Sequence, residues 1–485
     1  MIQTISTTVR TERAALVTAM LAAILVGAAC LLVAPRCYVD DAGFFFEYAA
    51  NAAAGHGFTF EPTRPPTFGV SAPLWCGALT LPAIAGITPD VSARWLGLTF
   101  TALAVFVLVR AIARHIGLVE AVAVSLCLAA DSRFTVWAMS GMEPPLGYMI
   151  TALAFASLLS ARCSPRRLGT LAASCAIHKL DMSGFALALI WAARAEGSGR
   201  VRSRLRAAAI AAVILAVFFG AAWIYYGDPL PLSVVRKFGR GHGEISPRWF
   251  TKEAFERGSG ILLLAAATVG TLRALRTRNV ALAAALVQLG SHAIAYSLRP
   301  PAERFGWYLA QAQPALCLLA GLGLAWIARA LAAAAPRAGA MAATAAAATF
   351  FAIAWHKDEA QRHSLEQWAG SVEPPRIAAG RWVAANTPAD ASLLTGFGLV
   401  AYYAQRTVHD YSGLTETVPP GVDLIAWANP DVIVFCEYDS AVSPDAYQPV
   451  AGFRIAQRFC DGWDPVRGWL PGQPRFYALV MVRNE

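Results

Sequence analysis

Long apolar runs separated by short polar stretches fill the chain from Ala14 to about Trp355, and the pattern changes after that. The first run is Ala14 to Ala34. Others follow at about Pro73 to Ile87, Val91 to Leu108, Leu118 to Ala130, Leu146 to Leu159, Leu168 to Ile177, Gly184 to Ala193, Ala207 to Tyr225, Ile261 to Leu272, Val280 to Tyr296, Leu309 to Leu331 and Met341 to Ala354. With about 20 residues needed per crossing, they predict a polytopic α-helical membrane protein of about eleven to thirteen membrane segments. Beyond Trp355, polar residues, Pro and Gly return, and two apolar β-like stretches, Asp431 to Phe435 and Phe476 to Val482, bracket turn-rich sequence. The expected organisation is a transmembrane module over residues 1–355 and a soluble α/β domain of about 125 residues over 356–485.

Two places break the simple count. Leu168 to Ala193 is split by His178-Lys-Leu-Asp181, and each half is too short to span, which predicts a shallow hairpin with a charged tip inside the protein. The second lies between Asp40/Asp41 and Arg110/Arg114, where two apolar runs occur and an odd number of crossings is required. One of them is expected to be short or re-entrant.

Composition agrees: 57% of the 485 residues are hydrophobic and 15% charged, and the mean hydropathy is +0.48. The formal net charge of +9 sits mainly in short clusters between runs, at Arg110/Arg114, Arg162/Arg166/Arg167, Arg200 to Arg206 and Arg273/Arg276/Arg278. That is the positive-inside pattern of cytoplasmic loops, so the charge does not argue for nucleic acid. Arg10 and Arg13 then place the N-terminus inside, and Ala14 to Ala34, lacking a cleavage site, reads as a retained helix. Loops 36–72, 131–145, 226–258 and 299–308 fall outside, together with the C-terminal domain. The nine cysteines show no metal-knuckle spacing, and only Cys436 and Cys460 suggest a pair, in an oxidising compartment.

The external loops carry the candidate chemistry. Asp40 and Asp41 lie just past the first span, where two carboxylates are costly unless they meet water, a cation or a substrate. Helix capping would account for one of them, not both. His56 follows in the same loop. Glu143, in Ser-Gly-Met-Glu-Pro-Pro, opens another apolar run, where a helix dipole would also favour it. Tyr226, Arg236 and Lys237 belong to a loop unusually rich in cations for the outer side, and Arg304 and Tyr308 lie four apart in the next. Acids on some loops and cations on others suit transfer from a phosphate leaving group: a carboxylate activates the nucleophile, and Arg or Lys neutralises the departing phosphate. No Gly-rich phosphate loop is present, so a cytosolic nucleotide is not the expected donor.

These motifs together resemble the GT-C glycosyltransferase superfamily, and within it the mycobacterial terminal arabinofuranosyltransferase branch. The resemblance rests on Asp40-Asp-Ala42, Gly55-His-Gly-Phe58, Ser71-Ala-Pro-Leu-Trp75, Ser140-Gly-Met-Glu143, Tyr225-Tyr-Gly-Asp-Pro-Leu-Pro231 with Lys237, the arginine and aromatics at Arg304, Ala401-Tyr-Tyr403 and Asp410-Tyr-Ser-Gly-Leu414. It implies a multi-pass enzyme of the bacterial cytoplasmic membrane that takes a sugar from a polyprenyl phosphate to a glycan, lipid or protein. Asp40 or Asp41 would be the base, Arg236, Lys237, Arg304 and Tyr308 would bind the donor phosphate, and His56, Glu143 and Tyr226 would contact sugar or acceptor. The chain departs from the family at Lys179-Leu-Asp-Met182, where Arg-Pro-Glu/Asp-Gly is common, and at Leu232, where asparagine is common. No cofactor is expected beyond a divalent cation, for which two carboxylates and a histidine supply ligands but no third carboxylate is placed. The alternative reading is a secondary transporter or lipid-linked-sugar flippase, for which buried charges and broken helices are also expected.

Overall fold

The structure is a computed structural model and describes residues 2–33, 38–160, 163–194, 199–239, 259–277, 279–298, 307–334, 339–396, 398–438, 447–460, 463–464, 468–469 and 476–484. The apolar runs are helices. In chain order these are α1 (Ile2–Leu32), α2 (Asp40–Ala53), α3 (Pro73–Ile84), α4 (Pro89–His115), α5 (Leu118–Ala130), α6 (Pro144–Leu159), α7 (Pro165–His178), α8 (Ser183–Ala192), α9 (Arg200–Tyr226), α10 (Leu232–Gly239), α11 (Gly260–Thr277), α12 (Val280–Leu298), α13 (Gln313–Ala334) and α14 (Gly339–Lys357). Among the described residues five helices are long and apolar enough to cross a membrane, within α1, α4, α9, α12 and α13, and a bent pair starting with α5 makes a sixth. The chain is a multi-pass membrane protein.

Both irregular places take the form that their lengths dictate. With only 12 residues, α3 spans about 18 Å, too little to cross, so α4 alone makes the crossing before Arg110 and Arg114. A hairpin is formed by α7 and α8, and His178 and Lys179 at its tip are buried. Segment 131–145 differs from expectation. It is not an exposed loop but a buried turn of short helices, Ser132–Thr135 and Val136–Met139, bent 75° from α5. The bend is held by polar contacts that an apolar-run count does not register. Asp131 Oδ1 accepts the Arg133 amide at 3.1 Å, and Asp358 Oδ2 accepts the Ser132 amide at 2.7 Å.

After α14 a long helix, α15 (Glu359–Asn386), leads into β1 (Ser392–Thr395), α16 (Leu399–Ala404), β2 (Thr407–Asp410), α17 (Leu424–Ala428), β3 (Val432–Tyr438), β4 (Phe453–Phe459) and β5 (Phe476–Arg483). The sheet order is β2-β1-β3-β5-β4, with the first three strands parallel and β5 antiparallel to both β3 and β4. Residues 476–481 are buried without alternation, as in a strand covered on both faces. One cover is α15, which packs on β5, and α15 and α2 both pack against α16. Cys436 and Cys460 are not joined to each other by a disulfide.

Candidate active site

Helix α2 starts at Asp40, and the residue ahead of it, Val39, is extended and contributes no side-chain cap. Both carboxylates therefore occupy the first turn, where the helix dipole favours them. The Asp40 side chain does not serve its own helix. Its Oδ1 accepts the Leu399 amide of α16 at 2.9 Å, and its Oδ2 faces Arg376 Nε of α15 at 3.5 Å. Glu373, 333 residues away along the chain, accepts the Asp40 amide at 3.2 Å and is paired with Arg376 Nη1 at 3.0 Å. The side chains of Arg376 and Glu373 are 4% and 0% exposed. Burial pushes the Glu373 carboxyl up to about 8, opposed by Arg376 and reinforced by Asp40. Arg376 also lies over the Phe476 ring at 4.9 Å, so one guanidinium joins β5, α15 and Asp40. Close contact of backbones completes the clamp: a Cβ on Gly43 would lie 2.3 Å from the Gly398 carbonyl carbon. Asp41, half-buried, projects about 100° around α2 from Asp40.

On another side of α2 lies the Ser140–Gly141 turn, where Ser140 O accepts the Val39 amide at 3.2 Å and Gly141 O accepts Trp75 Nε1 at 3.0 Å. Two residues on, Glu143 makes no side-chain cap at the start of α6 but forms a buried ion pair with Lys179 at the hairpin tip. Lys179 Nζ sits 5.7 Å from the centre of the Tyr308 ring, and that ring is 5.4 Å from Tyr296. The Tyr296 hydroxyl donates to Asp181, which His292 approaches at 3.8 Å. Glu143 Oε2 and both ring nitrogens of His178 are buried without a hydrogen-bond partner among the described residues. Lys179 and Asp181, the two charges of the departing hairpin sequence, are thus both engaged. Lys179→Met strands the Glu143 carboxylate in the interior, and a drop in stability of about 3–5 kcal/mol is expected. Thermal unfolding of purified protein, followed by tryptophan fluorescence, checks it. Adding Glu143→Leu is expected to restore most of the loss, because it removes the charge left unpaired.

A third group closes over α2 from the sheet. Buried Asp410 organises the turn after β2: its carboxylate accepts the amides of Ser412, Leu414 and Thr415 at 2.8, 2.9 and 2.8 Å. Gly413 in this turn has φ +71°, and a Cβ there would fall 1.8 Å from Arg236 Nη1, so the guanidinium rests on bare backbone. Helix α10 carries Arg236 and is anchored by Ser233 Oγ donating to Gly69 O at 2.8 Å.

Among the expected site residues, Asp40, Asp41, Glu143, Tyr308 and Arg236 lie on these three linked groups. Tyr226 holds the loop after α2, its hydroxyl donating to Phe58 O at 2.8 Å and its ring stacked on Phe68 at 4.9 Å. His56 is exposed just past the far end of α2, a helix of 14 residues that rises about 21 Å from the aspartates. Arg304 and the Lys237 side chain lie outside the described residues. Among the described residues no three His, Cys, Asp or Glu side chains gather as a cation site. Sequence reasoning passed over Glu373 and Arg376, and it placed Lys179 in a charged hairpin tip without giving it a site role. The first two show only as an acid and a base flanking Pro374-Pro375, and nothing local ties them to Asp40.

No family model matches the chain, and no curated protein matches its sequence. Solved structures do match in fold. ArnT from Cupriavidus metallidurans bound to undecaprenyl phosphate is 14% identical, with a TM-score of 0.61 and 98% of both chains covered. The apo state of the same protein gives 14% identity and a TM-score of 0.61 over 95% of this chain and 97% of that one. The archaeal oligosaccharyltransferase AglB from Archaeoglobus fulgidus, in complex with an inhibitory peptide and a dolichol-phosphate, is 13% identical with a TM-score of 0.61, over 87% of this chain and 69% of its own. The architecture is therefore the GT-C fold, apolar helices followed by a small sheet unit.

Proposed function

We propose that this chain is a membrane glycosyltransferase that moves a sugar from a polyprenyl phosphate to a hydroxyl of a cell-envelope glycan, lipid or protein outside the cytoplasm. The observation that carries this reading is the placement of the Asp40–Asp41 pair on the first turn of α2, where the C-terminal unit meets it through Leu399 and Arg376. Asp41 is assigned the chemistry. The fold supports it, since both ArnT and AglB were solved with a polyprenyl-type phosphate.

In this mechanism Asp41 takes the proton of the acceptor hydroxyl while that oxygen attacks the anomeric carbon. The bond from that carbon to the phosphate oxygen breaks, and polyprenyl phosphate leaves with the electron pair. Arg236, with Lys237 and Arg304, neutralises the new charge. One displacement with no enzyme nucleophile inverts the anomeric centre. Glu143 and Tyr308, tied together through Lys179, bind sugar hydroxyls and the phosphate. Arabinofuranose is the proposed sugar, on the motifs from Asp40-Asp-Ala42 to Asp410-Tyr-Ser-Gly-Leu414. The contacts of Arg376 and Leu399 with Asp40 support a C-terminal sheet unit on the same side as the aspartates. Purified protein given synthetic polyprenyl-phosphoryl arabinofuranose and an arabinan acceptor, with no nucleotide, is expected to release polyprenyl phosphate. No release with this or any other pentosyl or hexosyl polyprenyl phosphate overturns the reading.

A further inference from the structure

The Glu143–Lys179 pair is one edge of a larger polar group between the hairpin tip, α12 and the turn before α13. Besides Glu143 Oε2 and both nitrogens of His178, the atoms Asp181 Oδ1, Gln288 Oε1, His292 Nε2 and both polar atoms of the Gln311 amide are buried without a hydrogen-bond partner among the described residues. His178, Gln288, His292 and Gln311 are fully buried. The group is connected. His292 Nδ1 lies 3.1 Å from Gln288 O, Gln288 Nε2 donates to Gln311 O at 2.8 Å, and His292 Nε2 faces Asp181 Oδ1 at 3.8 Å. Two contacts with bare backbone hold it in place: Gly184, just past the tip, lies against Ser291 of α12, and Gln311 lies against Gly147 of α6.

So many orphaned polar atoms are costly unless something fills the space between them. They also sit deep. His178 ends α7 about 20 Å from its start, and His292 stands about 18 Å along α12. Both helices begin beside basic clusters, at Arg166/Arg167 and Arg273/Arg276, so the two histidines meet about two-thirds of the way across a hydrocarbon core of about 30 Å. The chemistry of the group selects its occupant. Two carboxylates, Glu143 and Asp181, against one cation, Lys179, disfavour an anion, and among the described residues no three His, Cys, Asp or Glu side chains gather as a cation site. With Nδ1 donating to Gln288 O, His292 Nε2 is an acceptor, and it faces a second acceptor, Asp181 Oδ1, with no hydrogen bond between them. Two acceptors side by side call for two O–H donors, which a vicinal diol provides. The Gln311 amide and the His178 ring each add a donor and an acceptor. We propose that this group is the subsite for the sugar ring of the polyprenyl-phosphoryl donor, Asp181 and His292 taking a pair of adjacent hydroxyls; it rests on the reading of the chain as a user of such a donor. The subsite adjoins the aspartate pair, since Glu143 comes three residues after Ser140, whose carbonyl accepts the Val39 amide just ahead of Asp40.

Binding without transfer tests the proposal. The purified full chain is titrated calorimetrically with short-chain polyprenyl-phosphoryl arabinofuranose, polyprenyl-phosphoryl mannose and bare polyprenyl phosphate. In Asp181→Asn one side-chain atom still accepts from the Tyr296 hydroxyl, while a donor replaces the acceptor that faces His292. This variant is expected to bind the sugar-bearing lipid that wild type prefers about tenfold more weakly, the worth of one hydrogen bond to a charged group, and bare polyprenyl phosphate within about twofold of wild type. His292→Phe keeps an aromatic ring without its nitrogens and is expected to show the same selective loss. Unchanged affinity for the sugar-bearing lipids in both variants makes the group a water-filled structural cluster and overturns the proposal. Equal loss of all three lipids in both variants, or wild type that binds the bare lipid and neither sugar-bearing one, overturns it as well. Because no transfer is read, the selective loss can be found in a chain that transfers nothing, and its absence in one that does, so this proposal and the glycosyltransferase reading fail separately.

Discussion

Asp41→Asn is expected to lower sugar transfer by about 10²–10⁴-fold, the usual contribution of a general base. The amide keeps the size and the first-turn position of the side chain but no longer takes the acceptor proton. Asp40→Asn is expected to behave differently. Its amide oxygen still accepts the Leu399 amide, but the ion pair with Arg376 is lost, so the midpoint falls and activity drops through mispositioning. Rates and unfolding curves for the two variants, measured side by side, check the division. Equal loss of activity with equal stability would put both carboxylates in the same role.

Arg376→Met carries the largest expected effect on stability. It removes the cation that meets both Asp40 and fully buried Glu373, leaving Asp40 without its ion pair and Glu373 without the hydrogen bond from Arg376 Nη1. A loss of about 3–5 kcal/mol is expected for the broken buried pair. The loss depends on pH in a definite sense. Glu373 already has a folded-state value raised from 4.5 to about 8, so its contribution is fully present below about 4.5 and is lost as pH rises through about 8. Without Arg376 the carboxyl is pushed up further. The gap between variant and wild type therefore stays level up to about pH 8 and widens above it, where the carboxyl ionises in the wild type alone. Thermal midpoints taken from below that pH to above it check both size and direction, and a gap that narrows with pH would contradict the clamp.

The membrane helices were legible because apolar runs report burial in lipid directly, and the two irregular places were legible because a run shorter than a span must do something else. Leu168 to Ala193 folds back at Lys179, and α3 stops short of crossing, for that reason. Asp40 and Asp41 stood out by cost alone, but the contacts of Asp40 with the C-terminal unit did not. A capping aspartate and a clamping aspartate look the same in sequence, and Asp40 turns out to serve the start of α16 rather than its own helix. Glu143 likewise read as a residue near a helix N-terminus, whereas its partner Lys179 arrives from a hairpin with no sequence link to it. The buried turn at 131–145 read as a loop because its polar residues suggest water. Asp131 and Asp358 satisfy its amides inside the protein.

The fate of a radiolabelled sugar in proteoliposomes tests the central claim most directly, because a transporter or flippase would also act on a lipid-linked sugar. Labelled polyprenyl-phosphoryl arabinofuranose and an acceptor glycan are supplied to the purified chain, and label is counted on the acceptor, on the prenyl lipid and in each leaflet. The expected result is label bound covalently to the acceptor, with one polyprenyl phosphate released per sugar and the activity abolished in Asp41→Asn. Label that changes leaflet while still attached to its prenyl phosphate, with none on the acceptor, would contradict it.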